Sequence, residues 1–194
     1  KGGGGRDALA AWDTEFCRLG ERVDVARREV LAASLETLQQ HGSGLLGAEV
    51  DFRYASGWAK DTSLKQALDD HFDRDCALGT TQVGPHRADL RLVYDERQAR
   101  RLVSRGQQKL LASAMILAAT EIAQIALERP LLLLLDDPAA ELDRDSLGRL
   151  MGQVAALGSQ VIATSLERDE SLFPAAPRVF HVEQGELRAA VARG

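Results

Sequence analysis

The most continuous apolar segment of the chain is a run of five leucines, Leu131–Leu135, which follows Pro130 and ends at Asp136 and Asp137. A continuous apolar run of this length is typical of a strand buried on both faces, as in parallel sheets covered by helices. Ligands of such sheets bind at the carboxyl ends of the strands. Two carboxylates there suit a Mg²⁺-nucleotide site, one holding the metal's water shell and the other orienting an attacking water. A strand that merely stops at acidic turn residues is an equally weighted alternative from this run alone.

The first part of the chain has the spacing of an amphipathic helix. Apolar residues recur every three or four positions from Arg6 to about Gln40, and the opposite face is charged, which predicts a long helix with one apolar seam. The seam consists of Leu9, Trp12, Phe16, Leu19, Val23, Ala26 and Val30. We expect a kink at Gly20 and a helix end at Gly42–Gly44. The seam fits either a projecting arm or a helix docked on its own domain, and the second interpretation is slightly favoured.

Alternation and turn residues define the next elements. The apolar positions of a predicted half-buried strand are Val50, Phe52 and Tyr54. A second helix is predicted over 62–77 and closes at Gly79. Residues 6–79 are therefore interpreted as a mostly helical lobe. Residues 1–5, Lys-Gly-Gly-Gly-Gly, are interpreted as a flexible linker or an expression scar, with further sequence expected upstream.

After Gly79 the pattern changes to strands and a buried helix. One face of a predicted strand is formed by Leu90, Leu92 and Tyr94, and after a turn near 95–97 the chain returns through 102–103. A long helix then follows Ser104 and stays apolar almost all round until Pro130. Residues 80–194 are interpreted as a second region, separate from the helical lobe.

Two features of this region suit an anion. Between His86 and Lys109 there are seven Lys or Arg residues and three acidic residues. This excess suits the phosphates of DNA or nucleotide, or equally the solvated side of a hairpin. The segment from Ser104 to Gln107 opens a helix, whose first N–H groups and dipole attract a phosphate. A simple N-cap at Ser104 is the favoured alternative from that feature alone.

The carboxyl-terminal part continues the alternation of helix and strand. Asp143 is a predicted N-cap for a helix over 144–157, which ends before Gly158. A short buried strand is predicted over 160–164, and a hairpin over 179–191 turns at Gln184-Gly185.

Composition excludes several classes of protein. The chain has 194 residues and a net charge of −5, which by itself predicts no nucleic-acid binding. Its two cysteines match no metal-ligand spacing and suit a reducing cytosol. Its four histidines are scattered, so a structural zinc site is not expected. No signal peptide is recognisable and no apolar run approaches the ~20 residues that cross a bilayer, so we expect a cytoplasmic protein without a membrane contact.

Three segments, in this order, carry a resemblance to a known superfamily. Val-Ser-Arg-Gly-Gln-Gln-Lys at 103–109, the strand 131–137 and Ala-Glu-Leu-Asp at 140–143 resemble the signature motif, Walker B strand and D-loop of ABC-type ATPases. Within that superfamily, the runs at 84–90 and 180–185 are similar to the RecF family of bacterial DNA replication and repair proteins. The resemblance implies an α/β fold: an ABC-ATPase-like head fragment, in which helices cover a parallel sheet, plus a mostly helical second lobe.

The resemblance implies roles for the residues at the strand ends. Asp136 would coordinate Mg²⁺ through water. Asp137 stands where most relatives have a glutamate and would position the hydrolytic water, with slow turnover. Asp143 would communicate across a dimer interface. Thr164 occupies the place of the switch histidine that senses the γ-phosphate in many ABC ATPases and that RecF-like proteins lack.

The resemblance also implies a role for the signature segment. Ser104, Gly106 and Gln107 would contact the γ-phosphate of an ATP bound to the partner subunit, and Arg105 would add positive charge there. ATP and Mg²⁺ are therefore the implied cofactors, and a homodimer that closes on ATP binding is the implied assembly.

As a RecF-like protein, the intact molecule would bind single- and double-stranded DNA at gaps and support recombinase loading and the SOS response. RecO- and RecR-type partners and a weak ATPase are further implications. No Gly-x-x-x-x-Gly-Lys-Ser/Thr segment occurs in the sequence, so we expect a carboxyl-terminal portion that alone binds ATP weakly or not at all. Two other classes stay open: a structural or interaction module with a vestigial nucleotide site, and another ATPase head of the superfamily, either SMC- or Rad50-like or that of a transporter.

Overall fold

The computed structural model of the protein describes residues 3–94, 97–98, 104–166, 173 and 177–189. The helices are α1 (Gly3–Leu46), α2 (Leu64–Leu78), α3 (Arg105–Leu127) and α4 (Arg144–Ala156), with a short 3-10 helix at Pro85–Arg87. The strands are β1 (Val50–Ala55), β2 (Asp89–Tyr94), β3 (Arg97–Gln98), β4 (Leu132–Leu135), β5 (Gln160–Ala163), β6 (Phe180–Glu183) and β7 (Glu186–Ala189).

The chain divides into two compact units. Unit 1 comprises Lys1–Ser43 and Gly47–Val103, and unit 2 comprises Gly44–Leu46 and Ser104–Gly194. The predicted boundary between the helical lobe and the ATPase region lies after Gly79, and not after Val103 as in these two units. That functional division stays a prediction.

Unit 1 contains a three-stranded antiparallel sheet in the order β1-β2-β3. The alternation seen in the sequence is confirmed, because Val50 and Phe52 are 1% and 3% exposed. The second predicted helix is confirmed as α2. The Ser63 hydroxyl caps its first turn by accepting a hydrogen bond from the Gln66 N–H, and Gly79 ends it with φ at 65°. Of the predicted return of the hairpin, residues 95–96 and 102–103 lie outside the described residues.

Helix α1 packs through a different face from the predicted one. Trp12 and Val30 of the apolar seam are 76% and 68% exposed, whereas Cys17 is buried. Gly20 does not interrupt the helix. A Cβ at Gly20 would lie 2.6 Å from the side chain of Leu64, which is fully buried. Small residues on this face let α2 approach closely, and that approach decides which face is packed.

Helix α1 also runs past its predicted end. Gly42, Ser43 and Gly44 remain helical, and the turn comes at Gly47, where φ is 69°. The helix continues because its last turn carries Leu45, which is 0% exposed and packs in the core of unit 2. Burial of one leucine contributes roughly 1.5–3 kcal/mol, which offsets the ~1 kcal/mol that each of the two helical glycines, Gly42 and Gly44, costs.

Unit 2 contains two parallel strands that alternate with two helices along the chain, in the order α3, β4, α4, β5. β4 pairs with β5 in parallel register, with Leu133 beside Val161 and Leu135 beside Ala163. A core cluster joins these elements, and its buried members are Leu45, Leu110, Ala114, Leu117, Leu133, Leu150 and Val154. The predicted parallel pairing is confirmed, as is the predicted hairpin, seen as β6 and β7.

The prediction that the leucine strand is buried on both faces is wrong. Leu133 is 7% exposed, but Leu132 and Leu134 are 51% and 70% exposed. On β5, Ile162 lies beside Leu134 in the register and is 53% exposed. Side chains alternate across a strand, so the core takes only one face of this strand pair. The other face is apolar, and none of the described elements covers it.

Helix α3 is the one helix in the described ranges that is long and apolar enough to cross a membrane by length and composition, with a mean hydropathy of 1.8 over its best 18-residue window. The sequence-based expectation of no such segment therefore does not hold for α3. Core packing accounts for one part of this apolar character, because Leu110, Ala114 and Leu117 lie in the core of unit 2. Ile116 and Ile125 of the same helix are 61% and 71% exposed.

Candidate functional site

The first turn of α3 is closed by two reciprocal hydrogen bonds. The Ser104 hydroxyl accepts from the Gln107 N–H at 3.2 Å, and the Gln107 side-chain oxygen accepts from the Ser104 N–H at 2.9 Å. This capping box fixes both side chains and leaves the remaining first-turn N–H groups directed beyond the helix end. Arg105 projects from the same turn with its side chain 88% exposed. The predicted N-cap is confirmed, and its geometry is also that of a helix terminus that attracts anions.

The ends of β4 and β5 bring together three of the predicted site residues. The Thr164 hydroxyl donates to Asp136 Oδ1 at 2.6 Å and accepts from the Asp137 N–H at 3.1 Å. The Thr164 N–H in turn donates to the Leu135 carbonyl at 2.9 Å. Thr164 therefore holds Asp136 and Asp137 at once. The Asp136 carboxylate is exposed and Asp137 is half-buried.

The turn after β4 is pressed against the start of α3. A Cβ on Gly106 would lie 2.9 Å from the Glu141 carbonyl oxygen, closer than a side-chain carbon tolerates against backbone, so the contact requires glycine. Lys109 Nζ donates to the carbonyl oxygens of Asp137 and Ala140, each at 2.9 Å. Arg105 and Glu141 approach to 3.9 Å at the exposed margin. The predicted signature segment and the predicted D-loop are thus in direct contact.

Two residues of this turn have unusual backbone conformations. Asp137 has φ at 42° and Glu141 has φ at 65°. Left-handed backbone is uncommon for residues other than glycine and is often found at functional sites. The positive φ of Asp137 directs the chain out of the strand immediately after the two carboxylates.

Asp143 begins α4 as its N-cap. Its Oδ1 accepts from the Ser146 N–H and its Oδ2 accepts from the Ser146 hydroxyl, both at 2.8 Å. These hydrogen bonds, the backbone one first, hold the pKa of the Asp143 carboxyl below its usual range. Arg149 extends the network by donating to the Ser146 hydroxyl at 2.9 Å and to the Leu45 carbonyl at 2.9 Å. The Asp143 carboxylate is therefore engaged within its own chain.

The structure joins seven of the eight predicted site residues in two groups, whereas Asp143 bonds to Ser146 and belongs to neither group. A residue that sequence reasoning missed connects the two groups. Ser104, Arg105, Gly106 and Gln107 form the first group, and Asp136, Asp137 and Thr164 form the second. Lys109 lies on α3, whose first turn carries the first group, and its ammonium donates to the carbonyl of Asp137 in the second group. The sequence indicates Lys109 only as a positive charge, because the carbonyls that it bonds lie 28 and 31 residues further along the chain.

A Mg²⁺ ion fits the strand-end residues as a partly hydrated metal. Within the described part of the chain, no group of three or more His, Cys, Asp or Glu residues could hold a metal ion. Mg²⁺ commonly uses one or two carboxylates, several waters and phosphate oxygens. Asp136 suits such a site, because Thr164 occupies one of its oxygens and orients the exposed carboxylate.

Two parallel strands, of which β4 is followed by the carboxylate pair Asp136 and Asp137, combine with the capped helix and the intervening turn in the α/β fold of an ABC-ATPase-like head fragment. Solved structures agree with this α/β fold. The recombination mediator protein RecF-ATPrS in the RecFOR pathway matches with a TM-score of 0.74 and 22% identity, over 98% of this chain and 52% of that chain. The corresponding RecF-ATP structure matches with a TM-score of 0.73 and 22% identity over the same shares.

Among curated proteins, the chain is similar to RecF proteins of several bacteria. The DNA replication and repair protein RecF of Cellvibrio japonicus is 33% identical over an alignment of 186 residues, and the match covers 92% of this chain and 51% of that protein. RecF of Thioalkalivibrio sulfidiphilus is 37% identical over an alignment of 185 residues, and the match covers 93% of this chain and 51% of that protein. No family model matches the chain. The chain is homologous to RecF proteins over nearly its whole length, which confirms the predicted resemblance, and it spans about half the length of these relatives.

Proposed function

We propose that this chain supplies the signature, Walker B and D-loop residues of a RecF-like ATPase that acts in DNA replication and repair. The observation that carries the proposal is the direct contact between the capped first turn of α3 and the turn that follows Asp136 and Asp137. The similarity to RecF of Thioalkalivibrio sulfidiphilus, a DNA replication and repair protein, supports the same assignment.

Each residue has a role that its surroundings suit. Ser104, Gly106 and Gln107 present a helix N-terminus to the γ-phosphate of an ATP held by a second subunit, and exposed Arg105 adds charge. Asp136, oriented by Thr164, would hold a hydrated Mg²⁺, which would supply charge neutralisation for the phosphates. Asp137 orients the hydrolytic water. Thr164 acts through Asp136 and Asp137, because its hydroxyl donates to the Asp136 carboxylate and accepts from the Asp137 N–H.

In the intact protein, ATP bound between two such heads holds a dimer on DNA, with RecO- and RecR-type partners, at gaps where recombinase is loaded and the SOS response begins. Hydrolysis is slow and releases the dimer, so ATP binding energy serves assembly. The protein works in the cytoplasm, where its DNA substrate lies.

The apolar face of β4 and β5 has a place in this proposal. The relatives are about twice as long as the matched segment, and parallel sheets are ordinarily covered on both faces. The half of a RecF protein that this chain does not match would pack over Leu132, Leu134 and Ile162 and would complete the nucleotide site.

The test joins this chain to the half of Thioalkalivibrio sulfidiphilus RecF that it does not match. Affinity for labelled gapped DNA and the dimer fraction are measured by fluorescence anisotropy and analytical ultracentrifugation, with and without Mg-ATP. We expect ATP to raise both, and Ser104→Arg to abolish the increase. Ser63→Arg is the matched control, because the Ser63 hydroxyl caps α2 of unit 1 by accepting from the N–H three residues later, as the Ser104 hydroxyl does in α3.

Two results would contradict the proposal. If Mg-ATP changes neither quantity, the nucleotide site is vestigial and the chain is an interaction module. If Ser63→Arg abolishes the response as fully as Ser104→Arg does, loss of a helix cap explains the effect and the signature role is wrong.

A further inference from the structure

The side chain of Lys109 makes hydrogen bonds that are unusual for a lysine. It is half-buried on α3, and its ammonium donates to two backbone carbonyls, Asp137 O and Ala140 O, each at 2.9 Å. In the described part of the chain it makes no ion pair within 4.0 Å with a carboxylate whose position is described. An ammonium that bonds carbonyls across a turn fixes the main chain of that turn, since each N–H···O bond restrains one peptide group.

The restrained turn begins at a residue with left-handed backbone. Asp137 has φ at 42°, and such conformations persist in residues other than glycine only where the surroundings enforce them. The Asp137 carbonyl also accepts from the Ala140 N–H at 3.1 Å. The Asp137 N–H donates to the Thr164 hydroxyl at 3.1 Å. Lys109 and Thr164 thus restrain the two peptide groups that flank the Asp137 side chain.

We propose that Lys109 is a positioning residue that sets the main chain of Asp137 and couples it to the first turn of α3. Because Lys109 and Ser104 lie on one helix, a movement of that helix end moves both carbonyls that the ammonium holds. Gly106 makes the coupling tight, since its missing side chain lets the Glu141 carbonyl approach. The catalytic consequence of this coupling rests on the proposed function; the coupling itself does not.

The first test uses the unmodified chain. The ammonium protons of Lys109 are compared with those of exposed Lys60 by ¹⁵N NMR at neutral pH. We expect Lys109 to exchange with water at least tenfold more slowly, because its protons are engaged with two carbonyls. Exchange as fast as that of Lys60 would overturn the proposal, and this outcome depends on no variant.

The second test compares Lys109→Met with Lys109→Arg by amide hydrogen exchange. Methionine keeps the aliphatic stem and removes the donors. The N–H groups of Ala140 and Leu142, which donate to carbonyls of the same turn, should therefore exchange at least tenfold faster, whereas that of Leu147, which donates to the Asp143 carbonyl, keeps its rate. Arginine should restore part of the protection. Unchanged exchange at Ala140 and Leu142 in folded Lys109→Met overturns the proposal. If that variant does not fold, the ammonium exchange of the unmodified chain decides the question.

The third test separates positioning from simple stabilisation. In the fusion used for the proposed function, Lys109→Met should lower kcat for ATP at least tenfold and leave KM unchanged, because only the alignment of Asp137 is lost. Lys65→Met is the matched control, since Lys65 pairs with Asp69 on α2 of unit 1. Equal kcat in Lys109→Met and wild type overturns the positioning role. A wild-type fusion that does not hydrolyse ATP counts against the proposed function, and the two exchange tests then decide on Lys109.

Discussion

Replacement of Gly106 by alanine gives a quantitative test of the contact between α3 and the turn after β4. Alanine is favoured over glycine in a helix interior by roughly 1 kcal/mol. At Gly106 the new Cβ would lie 2.9 Å from the Glu141 carbonyl oxygen, and overpacking of this kind costs about 1–3 kcal/mol. The two effects oppose each other, so we expect Gly106→Ala to lower the free energy of unfolding of unit 2 by about 0–2 kcal/mol.

Gly148 supplies the matched control for this substitution. It lies inside α4, and a Cβ there meets nothing within 4 Å, so Gly148→Ala should raise stability by roughly 0.5–1 kcal/mol. The difference between the two variants therefore isolates the Glu141 contact at about 1–3 kcal/mol.

The assay for both glycine variants is native-state hydrogen exchange at the Leu117 amide, in the core of unit 2. A change of about 1.4 kcal/mol alters the exchange rate tenfold at this amide when it exchanges by global unfolding. If Gly106→Ala stabilises unit 2 as much as Gly148→Ala does, the Glu141 carbonyl is not close to α3. The coupling argued for Lys109 would then lose one of its supports.

Two further predictions concern the same unit. Leu45→Ala should lower the free energy of unfolding of unit 2 by about 2–5 kcal/mol, because the side chain is 0% exposed and its removal leaves a cavity; an effect below about 1 kcal/mol in urea unfolding would show that Leu45 is not part of this core. The lowered pKa of Asp143 means that its stabilising contribution is present above the unfolded pKa of about 4 and is lost as the pH falls through the lower folded value. Asp143→Asn, which retains a capping side chain, should therefore reduce the loss of stability between pH 5 and pH 2, approximately, and an unchanged pH profile would contradict the assignment.

Local signals in the sequence predict most of the secondary structure. Alternation predicts β1, the serine and aspartate caps mark the starts of α3 and α4, and Gly79 marks the end of α2. These elements are decided by neighbours within a few residues, through backbone hydrogen bonds and turn conformations. The order of motifs also predicts which residues form the two groups of the site.

Which face of a helix or strand is buried depends on residues that are distant in the sequence. The sequence-based predictions of the buried faces of α1 and β4 were therefore wrong. The seam of α1 is apolar, yet the helix packs through Cys17 and Gly20, because a small face admits Leu64. Its end at Leu46 follows from the core that Leu45 joins, whose other members come more than 60 residues later. Lys109 shows the same limit, because no local pattern indicates that a lysine will bond to carbonyls 28 and 31 residues away.

The continuity of α1 has a consequence for the order in which the protein is made. The last turn of this helix belongs to unit 2, although nearly all of its length belongs to unit 1. Synthesis proceeds from the amino terminus, so unit 1 leaves the ribosome while Leu45 still has no core to enter. The Leu45 carbonyl meets its partner Arg149 only 104 residues later, which at ribosomal rates is about 5–20 s. During that interval a leucine destined for full burial stays in water, and a gene cut after Val103 to isolate unit 2 would remove it altogether.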